Sequence, residues 1–249
     1  MPSIRLTPAV KAILIICFGV FVVQQTGDNW FGTHFVEWFG LVPTGFLSGR
    51  HFWQLITYAF LHADVMHLFF NLMMFAFIGW ELESVWGTAR FLRFFFFCSV
   101  SAGLFYLFLW VFIVRGDLPD APMIGASGAI YGLLAAYGLI FGDRVLLFMM
   151  LFPMKAKHFV WVLGLIEFMT TVFSGRGGLA SAAHLGGMIA GLGYLWVRAS
   201  YVVLQRRKQQ AGATQRTKKR KVAKHLKLVV NRDKGRDDDD VDGKPRTWH

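Results

Sequence analysis

The feature that most constrains this chain is the length of its apolar runs. A bilayer-crossing helix needs about 20 mostly apolar residues, and stretches of that kind recur between Pro8 and Leu204. A soluble fold would have to hide all of them. With 55% hydrophobic and 16% charged residues, the former in long blocks instead of short alternations, the composition is that of a membrane protein. Hydropathy places six membrane-spanning helices, at about residues 8–24, 56–79, 91–114, 124–142, 157–173 and 180–204. The expected fold class is all-α, a polytopic six-helix bundle over residues 1–204, followed by a basic tail, 205–249, expected to be disordered. Val145 to Pro153 is too short to cross, and fusing it to the next span would draw Lys155 and Lys157 into the bilayer, so it is expected as a connection near the surface.

Cys17 and Cys98 each lie inside an apolar block and give no disulfide framework. The run Ala12 to Val23 follows Arg5 and Lys11, as in a signal peptide, but Gln24-Gln25-Thr26-Gly27-Asp28 comes next instead of a small-residue cleavage pattern. It reads as a retained signal-anchor helix.

Lys and Arg in short loops set orientation, because they stay on the cytoplasmic side. With both termini inside, the inner segments before the tail hold Arg5, Lys11, Arg90, Arg93, Arg144, Lys155 and Lys157, against Arg50, Arg115 and Arg176 outside. Both termini are expected in the cytoplasm. The long first outer loop, with Trp30, Phe31, Phe35, Trp38, Phe39, Phe46, Phe52 and Trp53, reads as an interfacial anchor in preference to a substrate gate. The tail holds fifteen of the 26 Lys and Arg residues behind the net charge of +11, so that charge says little about the membrane part. It serves as a topology determinant and could touch anionic membrane lipids; no nucleic-acid partner is expected.

Polar and ionisable residues inside a span are costly and tend to be functional. His67 and Asn71, four apart, share a helix face and could donate to one point, whereas His62 points elsewhere and suits a structural role. Ser127, in Gly125-Ala126-Ser127-Gly128, stands where a helix start leaves backbone N–H groups free as potential oxyanion donors. His184 is followed by Gly187 and Gly191 on the same face, and Gly128, Gly132 and Ala136 form a matching stripe beside Ser127, so the two helices can approach closely. In the proposed topology both residues lie about 6 Å into spans that run from outside to inside, and so meet at one level. His67 and Asn71 reach that level only if the second span begins nearer His62 than Ile56. No His-Glu-x-x-His string supports a metalloprotease. Asp64 and Asp143 would lie near opposite faces, too far apart for an aspartate pair, and the other buried acid is Glu167.

His62-x4-His67-x3-Asn71, Glu83-x3-Gly87-x3-Phe91, Gly125-x-Ser127-Gly128 and Ala183-His184-x-Gly186-Gly187-x3-Gly191 follow one another in order. Over residues 50 to 200 the chain thereby resembles the rhomboid family of intramembrane serine proteases. The resemblance implies a dyad of Ser127 and His184 without a third acidic member. It also implies oxyanion donors from the Ser127 backbone N–H, His67 and Asn71, and a Tyr131 ring packed on the histidine. Gly125, Gly128 and Gly187 would support the site, and Glu83 and Gly87 would be structural. Its substrates would be single-span membrane proteins presented laterally near their outer end, with Ser174, Gly175, Gly177 and Gly178 forming a gate and cap. No cofactor and no metal ion are called for. The six-span form resembles the prokaryotic type, which implies the cell (inner) membrane. Two rivals stand beside this expectation: an inactive relative that binds and escorts membrane clients, and a transporter, which should line the whole bilayer depth with polar residues.

Overall fold

The computed structural model describes residues 6–114, 120–148, 152–174 and 178–237. The long helices are α1 (Pro8–Thr26), α5 (Val65–Trp86), α6 (Thr88–Leu109), α7 (Ser127–Ile140), α8 (Ala156–Phe173) and α9 (Gly178–Asp237), with short helices α2 (Phe35–Phe39), α3 (Pro43–Leu47) and α4 (Gln54–Thr57) between the first two. Among the described residues five helices are long and apolar enough to cross a membrane, α7 being the shorter apolar one. The chain is an all-α, multi-pass membrane protein. It divides into two compact units at Leu195 and Trp196.

In the first unit α7 is the central helix. Gly128, Ala129, Ile130 and every residue from Gly132 to Tyr137 are buried, against α5, α6 and α8. A helix apolar all round must be enclosed by others. Its fourteen residues are fewer than the expected span 124–142, because Gly125 has a φ of +112° that a helix cannot include.

Chain entry is organised by Glu83. Pro8, whose fixed φ suits the first helical turn, begins α1, and the Ala9 and Val10 N–H groups donate to Glu83 Oε1 and Oε2 at 2.9 and 3.0 Å. The Thr7 hydroxyl also donates to Oε2, and the Thr88 hydroxyl to Oε1 at 2.6 Å. One buried carboxylate thus caps α1 from the end of α5, where Gly87, at φ +75°, turns the chain into α6.

The second long helix begins later than the expected residue 56. Gln54–Thr57 and Tyr58–Phe60 form separate short helices, and Asp64 restarts the chain by accepting the His67 N–H at 2.8 Å as N-cap of α5. The helix start therefore falls nearer His62, the condition that the depth argument required. Val145 to Pro153, expected as a surface connection, contributes to a two-stranded antiparallel hairpin, β1 (Val145–Phe148) and β2 (Phe152–Lys155), in which Val145 faces Lys155 and Phe148 faces Phe152.

The second unit begins at Trp196, and α9 continues through it to Asp237. Of the tail expected to be disordered at least in part from residue 205, the described residues, to Asp237, are helical. Ala, Gln, Lys and Arg are good helix formers, and no proline occurs between Pro153 and Pro245.

Candidate active site

The residues before Ser127 are held from several sides, and this sets where α7 starts. Leu41 and Met123 exchange both backbone hydrogen bonds (2.9 and 3.0 Å), the Gly125 N–H donates to the Tyr58 carbonyl at 2.8 Å, and the Tyr106 hydroxyl donates to the Ala121 carbonyl at 2.6 Å. Thr44 donates its N–H to Asp120 at 3.1 Å. The first loop, expected chiefly as an interfacial anchor, thereby also positions the serine. Its tips remain exposed at Trp30, Phe31 and Phe52.

Ser127 is the first residue of α7, and its Oγ lies 2.7 Å from His184 Nε2. The close approach of α7 and α9 depends on glycine: a Cβ on Gly187 would stand 2.0 Å from the Gly128 carbonyl oxygen, and one on Gly191 would stand 3.0 Å from the Gly132 carbonyl oxygen. The Tyr131 ring, one turn further along α7, stacks on the His184 imidazole with centroids 4.6 Å apart and planes 7° from parallel.

On the other side of Ser127, the Ala63 N–H donates to His67 Nδ1 at 3.3 Å. A neutral imidazole whose Nδ1 accepts carries its proton on Nε2, so His67 has an N–H to offer. A Cβ on Gly125 would lie 2.9 Å from that Nε2 and 3.7 Å from Ser127 Oγ. Glycine thus keeps open the space between the serine oxygen and the His67 donor. Asn71, one turn below and buried, spends one amide N–H on the His67 carbonyl at 2.9 Å and has a second available.

Two cavities flank the serine. One, of about 450 Å³, is lined by Phe70, Asn71 and Met74 of α5, Ser127 and Tyr131 of α7, and Phe159 of α8. The other, of about 260 Å³, is bounded by Tyr106, Met123, Ser127, Leu179 and His184.

His62 is fully buried, and neither ring nitrogen has a hydrogen-bond partner among the described residues. It sits before α5, edge-on to His67 at 5.1 Å, while Gln24 clamps its backbone: the Gln24 amide donates to the His62 carbonyl at 2.9 Å and accepts its N–H at 3.2 Å. Burial, with a smaller contribution from His67, pushes its pKa down to about 4.

One contact was not anticipated. Glu167 Oε1 lies 3.1 Å from His184 Nδ1 and also accepts the Tyr131 hydroxyl. The resemblance implied no acidic third member, and an acid now stands where one would be. The available signal was a lone acidic residue in the apolar helix α8.

Of the expected gate, Ser174 ends α8, its N–H donating to the Thr170 carbonyl at 2.9 Å, and Gly178 starts α9. Gly175 and Gly177 fall outside the described residues. Among the described residues no cluster of three or more His, Cys, Asp or Glu could hold a metal ion.

A family model described as the Rhomboid domain matches residues 49–201. The chain is 27% identical over 206 residues to the mitochondrial Rhomboid protein 1 of Saccharomyces cerevisiae, covering 82% of this chain and 57% of the relative. It is 23% identical over 188 residues to Rhomboid protease GlpG of Yersinia pseudotuberculosis and of Yersinia pestis, covering 74% of this chain and 60% of each relative. The chain therefore spans under two thirds of the length of these relatives. With the ordered motifs, the matched domain and the helical bundle in agreement, this chain belongs to the rhomboid family.

Proposed function

We propose that this protein is an intramembrane serine protease, hydrolysing peptide bonds in or near the transmembrane helices of other membrane proteins. Ser127 is the nucleophile and His184 the general base. The observation that carries the reading is the 2.7 Å approach of Ser127 Oγ to His184 Nε2 at the start of an enclosed helix.

His184 Nε2 takes the hydroxyl proton as Oγ bonds to the substrate carbonyl carbon. The resulting oxyanion lies toward the space kept open by Gly125, with the Ser127 backbone N–H, His67 Nε2–H and the spare Asn71 N–H as donors; removal of one such donor typically costs about 10²–10³ in rate. His184 then gives the proton to the leaving amine, and water repeats the sequence on the acyl-enzyme. The apolar cavity between α5 and α8 suits a substrate segment entering from the lipid side, while the second cavity supplies space for water. An intact helix shields its peptide bonds, so preferred substrates should unwind locally at Gly, Pro or other poor helix formers.

The name of the Yersinia relatives, a rhomboid protease, favours the same activity, and single-span proteins in a lipid bilayer are the proposed substrates. The basic inner loops favour a cell membrane location with both termini cytoplasmic and the site opening near the outer face. The domain of residues 1–204 would carry the activity, with Ser174, Gly175, Gly177 and Gly178 as gate and cap.

The test is cleavage of a single-span substrate in proteoliposomes by the wild type, Ser127→Ala and His184→Ala. Cleavage by the wild type alone is expected. Cleavage that survives Ser127→Ala would sink the mechanism, and a wild type inactive on several such substrates, though still binding them, would turn the reading to the client escort.

A further inference from the structure

Glu167 is the sole acidic residue of α8 and is buried at 8% exposure. An ionised carboxylate within a membrane span is costly unless donors meet it. Its side-chain partners all belong to the site: His184 Nδ1 and the Tyr131 hydroxyl converge on Oε1, and Ser181, buried on α9 three residues before His184, faces the same carboxylate. The two ring nitrogens of His184 are thus engaged on opposite sides, Nε2 by Ser127 Oγ and Nδ1 by Glu167.

That arrangement dictates a tautomer. A carboxylate only accepts, so Nδ1 must carry the proton, which leaves the Nε2 lone pair aimed at the serine hydroxyl. The opposite tautomer would present an N–H to Ser127 and could not take its proton. We infer that Glu167 is the positioning residue for His184, extending the serine–histidine pair to a Ser127–His184–Glu167 relay braced by Tyr131. The inference rests on the reading of Ser127 as nucleophile and His184 as base.

In the acylation step the Oγ–H bond breaks as the Oγ–C bond forms, and the proton moves to Nε2. The carbonyl becomes an oxyanion, and the imidazolium forms beside an anion already in place. Glu167 takes no proton and keeps its charge throughout. When the C–N bond breaks, the Nε2 proton leaves with the amine. Tyr131 does two things in this geometry: its ring covers one face of the imidazole, and its hydroxyl holds Oε1.

Glu167→Gln, Glu167→Ala and Glu167→Asp should be compared with the wild type for kcat and KM in proteoliposomes, each variant checked for insertion and thermal unfolding. For Glu167→Gln we expect kcat to fall about 10²–10⁴-fold with little change in KM, as when the orienting acid of a serine protease is neutralised. Glu167→Asp should recover part of the rate, which a packing role would not explain. In parallel, ¹⁵N-histidine NMR of the wild type, with His184 assigned by difference from His184→Gln, should find the proton on Nδ1 at neutral pH.

Glu167→Gln or Glu167→Ala retaining kcat within threefold would overturn the inference. So would an Nδ1 found without its proton, whatever the variants do. A wild type that cleaves nothing defeats the protease reading instead, and the NMR result still decides whether Glu167 orients His184.

Discussion

Gly187→Ala tests the packing that brings serine and histidine together. The new Cβ would stand 2.0 Å from the Gly128 carbonyl oxygen, 2.8 Å from its carbon and 3.3 Å from its Cα. All three are backbone atoms of an enclosed helix, so no side-chain rotation can relieve the contact. Since non-bonded heavy atoms settle near 3.5 Å, α7 and α9 must part by ~1 Å or more at that level. Overpacking of this kind destabilises by about 1–3 kcal/mol. Gly187 is one turn from His184, so much of the displacement reaches the 2.7 Å Ser127–His184 approach. A misplacement of ~1 Å in a reacting pair can cost about 10²-fold in rate. The assay is kcat on a single-span substrate in proteoliposomes beside thermal unfolding in detergent. Gly193→Ala on the same helix is the control, since its Cβ would meet nothing within 4 Å, and its stability should hold or rise slightly. Gly187→Ala that matches Gly193→Ala in both measurements would refute the argument.

Glu83→Ala orphans the Ala9 and Val10 N–H groups and both threonine hydroxyls, and is expected to cost about 2–4 kcal/mol, with Glu83→Gln in between; an unfolding shift below about 0.5 kcal/mol would contradict the capping role. Gly125→Ala meets both a φ of +112° and His67 Nε2 at 2.9 Å, so kcat should fall about 10²-fold or more while KM changes little, unchanged kcat being the contrary result. His62, outside the membrane-crossing helices, is favoured neutral when folded, its pKa lying at about 4 against an ordinary 6.5. Its contribution is present above pH 6.5 and is lost as pH falls toward 4, by at most about 3 kcal/mol. His62→Phe should flatten that stretch of the stability curve, and a curve parallel to the wild type would exclude the effect.

Long apolar runs announced α1, α6 and α8 because hydropathy alone decides whether a segment can sit in lipid. The start of α5 was harder. Ile56 to Leu61 is as apolar as the helix that follows, and the break depends on Asp64 accepting one N–H, an event hydropathy does not register. α7 was overestimated for a similar reason, since residues 124 to 126 are apolar but bent by Gly125. Past residue 205 charge density and helix propensity point in opposite directions, and hydropathy does not choose between them.

Within the site, what lay inside one helix could be seen in the spacing of residues, and what lay between helices could not. His67 and Asn71 share a face by counting, and the small residues of α7 and α9 foretold a close approach. Glu167 and His184 are 17 residues apart on different helices, and no periodicity links them. The distinction also has a physical meaning for the proposed reaction. Moving a proton from Ser127 to His184 creates two charges in a place where water is scarce, one on the substrate oxygen and one on the imidazole. Each would be expensive alone. The oxygen is met by donors carried on α5 and at the start of α7, and the imidazole by a carboxylate carried on α8. A bundle that must prepare partners for both charges before either exists has to draw them from different helices, because one helix face cannot surround two opposite charges. The residues hardest to find in the chain are therefore the ones that the chemistry most needs from elsewhere in the fold.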